Sequence, residues 1–131
     1  MTKDLTTAET QVLVSLDPAG SKSGKEVRGP ATLGEIVDGT CEQVLDVFMT
    51  SENGNFFAGV WTCTTGTMKL TDYPFNEMAV LIEGKIVITD ADSGTVSTFG
   101  PGDGFAIRKG FRGTWEMSEP VLKRFAGEIP A

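Results

Sequence analysis

Glu77 is the side chain best placed to do chemistry in this 131-residue sequence. It opens the run Glu77-Met-Ala-Val-Leu-Ile82. In an extended strand alternate side chains face opposite ways, so Glu77 shares a face with Ala79 and Leu81, while Met78 and Val80 face away. A carboxylate among apolar neighbours is costly to bury unless paired, and it is also the setting in which proteins make general acids and bases. Two bland alternatives stay open: pairing with a Lys or Arg across the mouth of the fold, or pointing into water. Tyr73 is the only tyrosine; it stands four residues earlier, just before Pro74, within reach of donating a hydrogen bond into the same space. Trp61 and Trp115 can wall a site for a small apolar or planar ligand, or simply fill a core. Arg108, at the end of a short apolar segment, can clamp a carboxylate in bidentate fashion or pair with Glu116 or Glu119. It belongs to a cluster with Lys109, Arg112, Lys123 and Arg124, which reads as a local positive patch on an acidic protein.

What is missing excludes more. The sequence has no histidine, which removes Ser-His-Asp and Cys-His catalysis and every zinc or iron site built on imidazole. Eleven Lys and Arg against 18 Asp and Glu give a formal net charge of −7, which disfavours nucleic acid and anionic membrane surfaces as partners. Cys41 and Cys63 form no Cys-x-x-Cys pair and follow no apolar leader, so they read as two small apolar residues in a sheet, and a reducing cytoplasm is the expected location. Gly20-x-x-x-Gly24-Lys25 has the wrong spacing for a phosphate loop. Asp90-Ala-Asp-Ser-Gly94 lacks the remaining ligands of a calcium loop and reads as a hairpin turn.

The elements that must position these residues are short. From Phe56 onward the apolar segments are 56–63, 67–73, 78–82, 85–89, 95–99, 105–108, 113–117 and 121–126, separated by Gly, Pro and Asp-rich turns. Seven or eight strands at that spacing predict an all-β sandwich or barrel. Sixteen glycines fit a turn-rich chain of this kind. Thr10–Leu16 alternates like an edge strand, residues 17–25 form a polar loop, and only Leu33–Val47 offers a possible helical turn.

The run from Gly66 to Gly84, with six residues between Glu77 and Gly84, resembles the first motif of the cupin superfamily. Gly102 to Trp115 resembles the second, in register through its glycines. Gly59-Val-Trp61, Gly110-Phe-Arg-Gly113-Thr-Trp115 and Lys123 are similar to a subgroup that includes the (S)-ureidoglycine aminohydrolase cupin domain and the ethanolamine-utilisation cupin. Metal-binding cupins carry a His-x-His pair before the Glu and a further His after the second motif. Here those places fall on Leu70/Asp72 or Thr71/Tyr73 and on Gly113, and the Pro of the second motif's Pro-x-Gly is replaced by Arg108.

The resemblance implies a single jelly-roll barrel of antiparallel strands over residues 44–131, preceded by an N-terminal arm and loop over 1–43, with no cofactor and no bound transition metal. The expected site has Glu77 and Tyr73 as polar, potentially catalytic groups, with Trp61, Arg108 and Trp115 as ligand-binding groups. The expected ligand is a small organic anion or an amine. The protein is then either a metal-independent enzyme of small-molecule metabolism or a noncatalytic sensor, accessory or scaffold. A homodimer is expected through an edge strand paired by the arm.

Overall fold

The computed structural model describes residues 12–130. Among these there are nine strands and no helix: β1 (Val27–Pro30), β2 (Glu35–Gly39), β3 (Glu42–Thr50), β4 (Phe56–Cys63), β5 (Gly66–Leu70), β6 (Asn76–Asp90), β7 (Val96–Phe99), β8 (Gly104–Ile107) and β9 (Gly113–Glu128). All pair antiparallel in one curled sheet, the jelly-roll barrel expected from the sequence.

Two long strands organise it. β6 and β9 run against each other along their length, from Asn76 opposite Glu128 to Asp90 opposite Gly113. The first half of β6 is flanked on its other side by β8 and the second half by β7; β9 is flanked by β5 and then β4. The sequence divides each long strand in two, at Gly84 and at Pro120. In the structure neither residue ends its strand, and both mark a common crease. Gly84 has φ +93°, and a Cβ there would stand 2.3 Å from the Pro120 carbonyl oxygen. The register slips on both sides of Gly84, and such bulges turn a flat ladder into a curved one.

The N-terminal region departs from expectation. Leu33–Val47 contains no helical turn; it supplies β2 and most of β3, reversed through Gly39 (φ +73°), which packs against Gly66. β1 pairs with β3 and β2 with β5, so residues 27–39 belong to the sheet, and the boundary expected between 43 and 44 falls inside β3. Val12–Leu16 lie in none of the strands, and Thr10 and Gln11 fall outside the described residues. The polar loop is fastened by Asp46 of β3, which accepts from the Ser21 amide at 2.7 Å and the Ser21 hydroxyl at 2.6 Å. Arg124 Nε donates to the Leu16 carbonyl at 2.9 Å.

The core is dense at one end of the barrel, where Met68, Leu70, Ile86, Trp115 and Met117 are fully or almost fully buried. Cys41 and Cys63 are both buried free thiols. Burial pushes both thiols up, Cys63 to about 12, which leaves them protonated and unreactive at neutral pH.

Candidate functional site

The inner face of β6 carries Glu77, Ala79 and Leu81, and that of β9 carries Val121, Lys123 and Phe125. Lys123 lies opposite Leu81, four residues along from Glu77, and the methyl group of Ala79 between them leaves room for the lysine to reach along the strand. Lys123 Nζ donates to Glu77 Oε2 at 2.6 Å, and both side chains are sealed from solvent, 2% and 3% exposed. The other carboxylate oxygen accepts from the Tyr73 hydroxyl at 2.5 Å.

Tyr73 sits in the β5–β6 loop, where the backbone is gripped twice: its amide donates to the Phe111 carbonyl and its own carbonyl accepts from the Gly110 amide. Burial, and then the Glu77 charge beside it, push the Tyr73 phenol above its ordinary range, so it stays protonated as the donor to Glu77 at neutral pH.

The ammonium is held between two aromatic faces. Lys123 Nζ lies 4.7 Å from the Trp61 ring centre and 4.5 Å from that of Trp115, and the two indoles meet edge to face at 6.1 Å. At this burial such cation–π contacts contribute on the order of 2 kcal/mol. Trp61 Nε1 donates to Gln43 Oε1 at 2.8 Å. Trp115 Nε1 is, among the described residues, the one buried side-chain nitrogen or oxygen without a hydrogen-bond partner.

One wall of this cluster faces a half-open cavity of about 90 Å³, with the exposed Thr32 and Val47 at its rim. Its lining is apolar, from Leu33, Leu45, Val47, Phe57, Phe75 and Phe125, with Glu77, Lys123, Gln43 and Trp61 forming the polar end. The volume equals about three waters of bulk liquid. Phe57 reaches in because residue 127 is glycine: a Cβ there would lie 2.5 Å from the Phe57 ring.

Of the residues expected at the site, the structure brings Glu77, Tyr73, Trp61 and Trp115 together around Lys123. Glu77 and Trp61 line the cavity, whereas Tyr73 and Trp115 stand behind the ion pair. Arg108 is elsewhere. It is exposed beyond the end of β8 and borders an open surface hollow with Phe56, Asn76 and Met78, without an ion pair to Glu116 or Glu119. The positive patch also dissolves: Lys123 turns inward, Arg112 pairs with Asp92 at 3.1 Å, and Arg124 is engaged by Leu16.

Two site residues were not singled out as such from the sequence. Lys123 entered through the subgroup resemblance and as part of the positive patch, although the alternation Val121-x-Lys123-x-Phe125 puts it on an apolar face. Gln43 alternates in the same way with Leu45 and Val47 but fell in a region assigned to the arm.

A cupin metal does not fit this interior. Glu77 is engaged through both oxygens, and Asp72 is exposed. At Gly113, the place of the late histidine, a Cβ would lie 2.0 Å from the Thr89 carbonyl oxygen, which leaves no room for a ligating side chain. Among the described residues no three His, Cys, Asp or Glu side chains converge.

The family profile described as the EutQ-like cupin domain matches residues 50–125. The chain belongs to this family. Solved structures share its fold at low identity. The EutQ protein of Clostridium difficile superposes with a TM-score of 0.60 at 15% identity, covering 76% of this chain and 75% of that one. Ectoine synthase from P. lautus gives 0.64 at 15% identity, over 92% and 80% of the two chains. A protein of unknown function from Pseudomonas syringae gives 0.67 at 20% identity, over 86% of this cupin and 46% of its own length. No curated protein matches the sequence. No helix among the described residues of this cupin is long and apolar enough to cross a membrane.

Proposed function

We propose that this cupin binds a small organic molecule in the apolar chamber of its barrel, with no metal, and that the Glu77–Lys123 pair is the polar end of the site. The observation that carries the reading is a buried ion pair forming the wall of a cavity lined mostly by Leu, Val and Phe. Ion pairs in such surroundings often cost more than they contribute, and apolar side chains of the same volume would fold as well, so its presence favours a role in recognition. The pair also joins a proton donor to an acceptor beside the ligand space, which suits general acid–base chemistry with Glu77 as the exchanging group and Tyr73 as its positioning residue.

Neighbouring structures named for ethanolamine utilisation and for ectoine synthesis are in keeping with a small-metabolite ligand. An organic anion clamped by Arg108 has less support, because Arg108 and Trp61 border different spaces.

The test is NMR titration of the metal-free protein with small amines, carboxylates and amides. Binding in the chamber shifts the methyl signals of Leu33, Leu45 and Val47; a panel that moves none of them removes this reading. Elemental analysis of protein purified without an affinity tag checks the metal, since stoichiometric manganese, iron or zinc surviving dialysis contradicts it.

A further inference from the structure

Gln43 is a polar side chain of the chamber that the ion pair does not use. It lies on the inner face of β3, 4% exposed, and lines the cavity with Leu45 and Val47. The Trp61 indole N–H can only donate, so its 2.8 Å bond to Oε1 fixes which way the amide points. The acceptor end is engaged, and the two hydrogens on Nε2 are left over. Nε2 has no hydrogen-bond partner among the described residues, yet it is not one of the sealed orphan atoms. Its donors are therefore not fully enclosed, on a side chain that lines the chamber.

Deep in the chamber the other polar groups are already engaged, and Thr32 lies at the exposed rim. Lys123 Nζ has Glu77 and two indole faces, and Glu77 accepts from Lys123 and Tyr73. The unpartnered amide donors call for an acceptor. Charge narrows the choice further: the Glu77–Lys123 pair sums to zero, so a carboxylate or ammonium guest would bring an unpaired charge among Leu, Val and Phe side chains, at a cost of several-fold to many-fold in affinity.

We infer that the chamber takes a small uncharged carbonyl compound, of the class of short aliphatic amides, ketones and aldehydes, with its oxygen on Gln43 Nε2 and its alkyl part against Leu45, Val47 and Phe57. This rests on the reading of the chamber as a ligand site and adds the class of ligand.

The experiment compares propionamide, propionate and propylamine, which share a tail, with xenon as a probe of the cavity alone, each followed by the Trp61 indole and Leu and Val methyl signals. Two variants accompany the wild type. Gln43→Met removes the whole amide at similar volume, and Gln43→Glu keeps an acceptor for Trp61 while removing the donors, so one remains informative if the other fails to fold. Xenon and propionamide are expected to bind, propionate and propylamine at least about tenfold more weakly, and both variants to lose about three- to tenfold in propionamide affinity while keeping xenon. Propionamide binding unchanged in a folded variant, charged probes binding equally well, or xenon binding without propionamide each overturn the inference and leave the chamber standing. If no probe binds, xenon included, the chamber itself is closed and both readings fall.

Discussion

Replacing Lys123 by Met tests the energetics of the interior directly. The substitution keeps most of the side-chain volume but removes the 2.6 Å bond to Glu77 and both aromatic contacts of the ammonium. Glu77, 3% exposed, then keeps only the Tyr73 hydroxyl. Removing one member of a buried pair costs about 3–5 kcal/mol, because the other is left as an uncompensated charge. A domain of this size has about 5–15 kcal/mol in all, so the variant sits near the limit of folding. With roughly 3–5 °C per kcal/mol for a chain of this length, the melting temperature should fall by on the order of 10–20 °C. The decisive control is the double variant Lys123→Met, Glu77→Gln, which removes the stranded charge and should recover more than half of the loss. Thermal and urea unfolding followed by circular dichroism read both. A single variant costing less than about 1 kcal/mol, or a double variant no more stable than the single, would refute the claim that the two charges compensate each other inside the barrel.

Tyr73→Phe should cost about 1.5–3 kcal/mol, since it deletes a hydrogen bond to a buried carboxylate, and urea unfolding measures it. The Cys63 thiol, raised to about 12 by burial, contributes stability that is whole below the unfolded-state value near 9 and is lost as pH rises from there through about 12. The unfolding free energy should therefore fall across that window, and Cys63→Ala should flatten part of the slope. Neither cysteine should react with a thiol reagent at pH 7 until the protein is unfolded; rapid labelling of the native state contradicts the burial argument. We also propose a homodimer, supported by Phe56 and Met78, 41% and 54% exposed beside the surface hollow; a 14 kDa species in light scattering at micromolar concentration contradicts it.

Much of this arrangement is legible in the sequence because period-two alternation survives wherever one face is buried. Phe56–Cys63 is read with both ends correct, and Glu77 faces inward with Ala79 and Leu81 as the alternation requires. The misreadings share a cause. Gly84 and Pro120 look like strand ends because both weaken a ladder, yet paired across two strands they bend it instead. Residues 27–39 look like an arm because their side chains are mostly exposed, and edge strands carry little apolar signal. Lys123 and Arg108 read alike as basic residues of one patch, although the alternation around Lys123 points it inward; the packing of β9 buries the lysine while the arginine stays in water.

The crease at Gly84 and Pro120 divides the molecule into two economies of change. Beyond it toward Asp90 and Gly113, the barrel is filled by Ile86, Ile88, Trp115, Met117, Met68 and Leu70, and any alteration of volume there meets a neighbour at once. On the other side, the walls of the chamber border empty space, so exchanges among Leu33, Leu45 and Val47 reshape the cavity before they strain the fold. Substitutions on the chamber side should therefore be tolerated with smaller losses of stability than substitutions of equal volume in the filled half, which urea unfolding of paired variants measures.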